Sequence, residues 1–180
     1  MKLKTFAFIV LSLCTVFGAQ AATRVELLAG ANTIDLNQDG IPDLMVSATF
    51  DNNTSHPSQT LSAFINKNGN WYILPVPDDD GFTWSDFRLA GSSDKIIGFE
   101  LHNIQGVYYL IRAMKFSSNQ DNDDLTEAAK IKFSRYRVAE SSEEPGAPVF
   151  YWQLSGSYTT SQTYSDVDQA FAQLNTDEFK

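Results

Sequence analysis

The fold of this chain is decided by residues 60–74, which read TLSAFINKNGNWYIL. The runs on either side of Asn68-Gly69 are short and rich in aromatic and aliphatic side chains, as is typical of β-strands. Asn and Gly accept the positive φ angles that a two-residue hairpin turn requires. The stretch therefore predicts two neighbouring antiparallel strands, the first over 60–65 and the second over 71–74.

Further runs of strand length lie on both sides of this hairpin and are bounded by Asn, Asp, Gly and Pro. We expect residues 44–50 to pair with residues 60–65 across the polar loop 51–59. The other candidate strands are 131–138, 149–154 and a first pair formed by 24–28 with 33–36.

Two further strands are predicted in the middle of the chain. Ile97, Phe99 and Leu101 alternate with less apolar residues, which is the pattern of a strand buried on one face. Residues 107–116 are apolar on both faces, except for one arginine and one lysine. Because a strand that is apolar on both faces must be covered on both, we expect 107–116 to be central.

Only the C-terminus has a clearly helical pattern. Val167, Phe171 and Leu174 have the spacing of one helix face, with Ser165 as the predicted N-cap and Asp168 three residues later. These elements together predict a mainly β fold: one antiparallel β-rich domain, as in a β-sandwich, with one short C-terminal helix packed on the sheet.

Residues 1–21 have the pattern of a cleaved secretory signal peptide. Two lysines precede a short apolar run, and Ala19-Gln20-Ala21 supplies the small residues ahead of a cleavage site. Cleavage leaves residues 22–180 as a single β-rich domain and removes the only cysteine, Cys14. We expect the product in the periplasm, with secretion outside the cell as the alternative.

The charge of the chain excludes several classes of partner. Thirteen basic and 22 acidic side chains give a net charge of -9. The predicted cleavage removes two lysines, so 11 basic residues remain against 22 acidic ones and the net charge becomes -11. Such a chain does not bind nucleic acid or an anionic membrane surface unassisted, and no membrane span remains after cleavage.

The acidic loop 35–43 is the strongest chemical motif. Oxygen-bearing groups occupy the ligand positions of a calcium loop, namely Asp35, Asn37, Asp39, the carbonyl of Ile41 and Asp43. The bidentate Glu of an EF-hand is absent, because Val46 stands in its place. Either Ca²⁺ occupies the loop, or the Asp and Asn side chains cap backbone amides in a metal-free turn.

No catalytic constellation stands out, and we predict that the protein is not an enzyme. The two histidines, His56 and His102, show no zinc-ligand spacing. Residues 92–95 match the SxxK pattern of serine β-lactamases by letter, but the Ser-Asp-Asn and Lys-Thr-Gly partners are missing. We interpret 92–95 as a turn before the strand at Ile97.

Three residues are candidate contacts with a ligand or partner. His56 lies in a polar loop, and Trp71 and Trp84 are large aromatic residues of the kind that line binding grooves. Packing in the core is the alternative role for the two tryptophans.

Three stretches resemble the carbapenem intrinsic-resistance protein family of the CarG/CarF and CpmJ type. They are residues 30–44, the loop with Ser55-His56, and residues 163–171. The resemblance implies a small periplasmic β-rich protein that protects the cell from carbapenems without hydrolysing them, through protein contacts or sequestration. It therefore implies a β-lactam or an envelope protein as partner, and a homo-oligomer is left open.

A second function fits the same residues. The loop 35–43 and the exposed aromatic side chains also suit a calcium-stabilised extracellular recognition or adhesion module. This alternative predicts strong thermal stabilisation by calcium and no protection of the cell from the drug.

Overall fold

A computed structural model describes residues 22–180, apart from 52, 54, 80, 90, 117–124 and 142–144. The predicted signal segment 1–21, with Cys14, lies outside the described residues. The strands in chain order are β1 (Thr23–Val25), β2 (Gly30–Ile34), β3 (Asp43–Phe50), β4 (Ser58–Lys67), β5 (Asn70–Ile73), β6 (Trp84–Ser85), β7 (Phe87–Arg88), β8 (Lys95–Ile104), β9 (Val107–Phe116), β10 (Lys130–Glu140) and β11 (Phe150–Thr159).

These strands form two antiparallel sheets. The larger sheet has the order β1-β8-β9-β10-β11, and β7 also pairs with β8. The smaller sheet has the order β2-β3-β4-β5, and β6 also pairs with β4. The sheets bury a shared core between them, so the predicted mainly β fold is confirmed. Side chains from both sheets form this core, including Met45, Leu61, Ile65, Leu101, Leu110, Phe150 and Trp152.

The hairpin predicted from residues 60–74 is present. Asn68 and Gly69 have φ angles of 54° and 79°, and they join β4 to β5 with Phe64 opposite Ile73. The predicted pairing of 44–50 with 60–65 is also confirmed, with Leu44 opposite Phe64. Turn chemistry and side-chain alternation were sufficient here because each partner lies close in the sequence.

The predicted first pair, 24–28 with 33–36, is wrong. β1 pairs with β8 in the larger sheet, whereas β2 pairs with β3 in the smaller one. Between them the chain crosses from one sheet to the other. Asn32 stabilises this crossing, because its side chain accepts a hydrogen bond from the Leu28 amide at 2.8 Å and donates one to the Leu28 carbonyl at 2.9 Å.

β9 is central in the larger sheet, as predicted, but β8 is not open to solvent on its second face. A Cβ added at Gly98 would lie 3.1 Å from Val167 Cγ2. On β9, Lys115 is only 2% exposed, and its ammonium donates to the carbonyls of Leu125 and Ser165 at 2.7 and 2.8 Å. Both faces of the larger sheet are therefore covered.

The cover on the second face is the C-terminal segment. It contains the helix α1 (Val167–Phe171) and a 3₁₀ turn (Thr176–Glu178), so the predicted short helix on the sheet is confirmed. A second core forms there, from Ile111, Ala113, Ile131, Phe133, Val167, Ala170, Phe171 and Phe179.

The N-cap of α1 is Asp166 rather than the predicted Ser165. Asp166 has extended backbone angles, and its side chain accepts from the Asp168 amide. Its second oxygen accepts from the Lys95 amide at 2.7 Å, which ties the start of the helix to β8. No helix among the described residues is long and apolar enough to cross a membrane.

Candidate functional site: an acidic loop and a charged edge cleft

In the acidic loop, carboxylates accept hydrogen bonds from the loop's own backbone. Asp35 accepts from the amides of Asp39 at 3.2 Å and Gly40 at 2.9 Å. Asp39 in turn accepts from the Ile41 amide at 2.8 Å and from the Asn37 side chain at 2.9 Å. Gly40 has a φ angle of 83°, which suits glycine at this sharp turn.

Asp43 anchors the loop in the protein. Its side chain is 1% exposed and accepts from the amides of Leu36 at 2.8 Å and Asn66 at 2.9 Å. Burial raises the pKa of the Asp43 carboxyl above its usual value, although the two amides act in the opposite direction. The carboxylate therefore joins the loop to β4 and starts β3.

Side chains of the loop thus cap its amides, which both interpretations of the loop allow. Within the described part of the chain, no cluster of three His, Cys, Asp or Glu side chains is arranged to hold a metal ion. Carboxylate oxygens keep further lone pairs after accepting one hydrogen bond, so the predicted calcium ligands Asp35, Asn37, Asp39, Ile41 and Asp43 stay a prediction.

The three predicted contact residues do not come together. Trp84 is 4% exposed and packs between the sheets, with ring centroids 6.2 Å from Trp152. Trp71 is 53% exposed on β5, opposite Asn66 near the end of β4, whereas His56 precedes the start of β4. Eight strand residues separate these ends, which is roughly 26 Å. Trp84 therefore has the core role.

A cleft of about 890 Å³ lies between the edge of β8 and the C-terminal segment. We call it the edge cleft. Its charged lining residues are Arg24, Asp86, Lys95, Glu100, Asp168 and Asp177. Four carboxylates therefore face two basic side chains, and the cleft carries an excess of negative charge. His102 also lines it.

One half of the edge cleft is a chain of three ionisable residues. Arg24 donates to one oxygen of Glu100 at 2.8 Å, and the other Glu100 oxygen lies 2.8 Å from Nε2 of His102. His102 is 7% exposed, and its Nδ1 is buried without a hydrogen-bond partner. If Nε2 carries the proton and donates to Glu100, Nδ1 is a free acceptor.

The other half is organised around Lys95. Its ammonium lies 2.8 Å from Asp168 Oδ1 and 3.7 Å from Asp86 Oδ2. Asp86 also accepts from the Gln59 amide at 2.7 Å, so it is held at the junction of the two sheets. Each basic side chain of the cleft already has a carboxylate partner.

The edge cleft was not predicted from the sequence. Glu100 and His102 lie two residues apart, so they share one face of a strand, and that spacing was the available signal. Arg24 joins them only because β1 pairs with β8, with Arg24 opposite His102. The turn predicted at 92–95 lies slightly earlier in the chain: the Ser92 amide donates to the Leu89 carbonyl at 3.2 Å, and Lys95 is already the first residue of β8.

Comparison with known proteins gives one sequence family and one solved structure. The model of a family described as "Carbapenem resistance protein CarG-like" matches residues 27–173. A solved structure titled "Crystal structure of CarG" superposes with a TM-score of 0.80 at 36% sequence identity, and covers 88% of this chain and 99% of that chain. No curated protein sequence matches this chain.

Proposed function

The chain belongs to the CarG-like family of carbapenem resistance proteins, and on that premise we propose that it is an exported, non-hydrolytic resistance protein. It acts in the periplasm as residues 22–180 and protects the cell from carbapenems through contact with another molecule. The family match over 27–173 carries this proposal, because it spans both sheets and α1.

The geometry of His102 supports a role without hydrolysis. A general base must reach the proton that it removes, directly or through one water. Nε2 of His102 lies against Glu100, and Nδ1 is buried away from solvent. His102 is therefore poorly placed to activate a water molecule in the edge cleft.

The charge of the edge cleft favours a protein partner over the drug. Carbapenems carry a carboxylate, and like charges repel in a partly desolvated site. The cleft already holds four carboxylates, and its basic side chains Arg24 and Lys95 are paired. Of the two possible partners, an envelope protein suits this surface better than a β-lactam.

The first experiment is the minimum inhibitory concentration of a carbapenem for a sensitive Gram-negative strain. The strain expresses the full sequence, a version without residues 2–21, or an empty vector. We expect the inhibitory concentration to rise only with the full sequence. Drug remaining in the medium, measured in the same cultures, should equal that of the empty-vector strain.

Two results would overturn the proposal. Faster loss of the drug in cultures that express the full sequence would indicate hydrolysis. An unchanged inhibitory concentration, with the protein shown to be soluble and exported, would remove the resistance role.

The second candidate is a calcium-supported recognition module. The exposure of Trp71 and Ile73 on β5, at 53% and 39%, favours it, because exposed apolar patches mark interaction surfaces. Calcium in the loop 35–43 should then raise the melting temperature, by the equivalent of about 2.7 kcal/mol at a concentration 100 times its Kd. Asp39→Asn should abolish the rise. Equal melting curves in calcium and in a chelator would exclude a calcium site.

A further inference from the structure

The edge of β8 has a gap in its strand pairing. β1 pairs with Leu101 to Asn103, and β7 pairs with Lys95 and Ile97 on the same edge. Among the residues that the structure describes, none forms a strand pair with 98–100 on this edge. Three residues of strand span about 10 Å. The gap therefore holds about three residues of an extended peptide, because β1 and β7 occupy the edge on either side of it.

The backbone at the gap can bond to such a peptide. In an antiparallel strand, alternate residues direct both their N–H and C=O groups to the same edge. At least one of Gly98, Phe99 and Glu100 therefore directs both groups away from β9. Phe99 and Glu100 also line the edge cleft, so the gap opens into it.

The side chains around the gap favour a cation. Asp86, Glu100, Asp168 and Asp177 outnumber Arg24 and Lys95 in the cleft. Ala22 also lines it, so cleavage after residue 21 adds one α-ammonium group there. Two charged side chains outside the lining reach its residues: Arg88 lies 3.9 Å from Asp168, and Glu26 lies 3.2 Å from Arg24. Five carboxylates then stand against four cations, and one negative charge is left over. A ligand with positive charge would be attracted, and an anionic one repelled.

We propose that the edge cleft binds an extended, lysine- or arginine-bearing peptide segment of another protein, which pairs as a strand with residues 98–100. The peptide backbone bonds to the open edge of β8, and its basic side chains lie among the carboxylates of the cleft. This inference rests on the proposed function only in taking the partner to be an envelope protein. Strand addition to an open sheet edge is an established mode of peptide recognition.

The test is a titration of the ¹⁵N-labelled protein, purified after expression of the full sequence, followed by amide chemical shifts. The probe is the capped peptide Lys-Val-Lys, whose three residues match the length of the gap. The controls are capped Glu-Val-Glu, spermidine, and capped Lys-Val-Lys with its backbone N–H groups methylated. We expect saturable shifts at Phe99 and Glu100 with the lysine peptide and none there with the controls.

Two matched variants test whether the carboxylates of the cleft contribute to the peptide affinity. Asp177→Asn removes one carboxylate of the cleft and should lower the affinity for the lysine peptide roughly two- to fivefold, as expected for one exposed charge pair. Asp79→Asn makes the same change at an exposed position outside the cleft and should leave the affinity unchanged.

Three outcomes would overturn the proposal. If the methylated peptide or spermidine binds with the same affinity as the lysine peptide, the site attracts positive charge without strand pairing. Chemical-shift changes confined to residues outside the cleft would place the binding site elsewhere. No chemical-shift changes at millimolar peptide would show that the cleft does not bind it. The drug-protection assay is a separate experiment. A failure of peptide binding therefore does not refute the proposed resistance function, which that assay tests.

Discussion

Removal of the Asp43 carboxylate should destabilise the protein more than the loss of an exposed acid. The side chain is 1% exposed and accepts from two backbone amides, those of Leu36 and Asn66. In Asp43→Ala both amides lose their acceptor inside the protein. Each unpaired buried N–H lowers the free energy of unfolding by about 1–3 kcal/mol. Part of this loss is offset, because the variant no longer buries a charged carboxylate.

We therefore expect Asp43→Ala to lower the free energy of unfolding by about 2–4 kcal/mol. For a chain of this size, that corresponds to a fall in melting temperature of roughly 4–16 °C. Urea unfolding at pH 7, followed by tryptophan fluorescence, measures the change. Asp79→Ala is the matched control, because Asp79 is an exposed aspartate. A loss below 0.5 kcal/mol, the usual range of a surface change, would refute the reasoning.

The same residue predicts a pH dependence with a definite sign. Burial raises the pKa of Asp43 above its unfolded value of 3.8. The folded state therefore binds more protons than the unfolded state between 3.8 and the raised pKa. The contribution of Asp43 to stability falls as the pH rises through that window and is constant above it. In Asp43→Asn this component is absent, so the stability difference from the original protein should be largest at acidic pH.

Three further changes test the packing around the larger sheet. Gly98→Leu should cost about 1–3 kcal/mol because its Cβ meets Val167, and Val167→Ala in the same chain should restore part of the loss; additive losses in urea would contradict direct packing. Lys115→Met should cost about 1–3 kcal/mol because the carbonyls of Leu125 and Ser165 lose their donor, and an equally stable variant in thermal unfolding would disprove it. Asp166→Ala should cost about 1 kcal/mol, and Ser165→Ala under 0.5 kcal/mol; the reverse order in calorimetry would return the N-cap to Ser165.

Local features of the sequence predicted most of the strands. The alternation in residues 60–74 and the pair Asn68-Gly69 act within a few residues, and the structure has the hairpin that they predict. The hydrogen bonds that Asp35 and Asp39 accept from the loop are also local, because each side chain reaches amides two to five residues away. The resemblance of residues 30–44 and 163–171 pointed to the family that the comparisons show.

Pairings between distant residues could not be read in this way. Asp43 looked like a further ligand of the acidic loop, but its partner Asn66 lies on another strand. Trp71 and Trp84 are alike as residue types, yet one is exposed and the other buried, because only the packing of the two sheets distinguishes the faces.

By itself, the sequence determined most of the strands, the hairpin turn and the short helix, since these depend on the conformational preferences of neighbouring residues. The tertiary structure alone decided that β1 joins β8 and that the C-terminal segment covers the second face of the larger sheet. The edge cleft follows from both choices, because Arg24, Glu100 and Asp177 come from three distant segments. Contacts of that range depend on how the whole chain buries its apolar surface, and local patterns do not encode that arrangement.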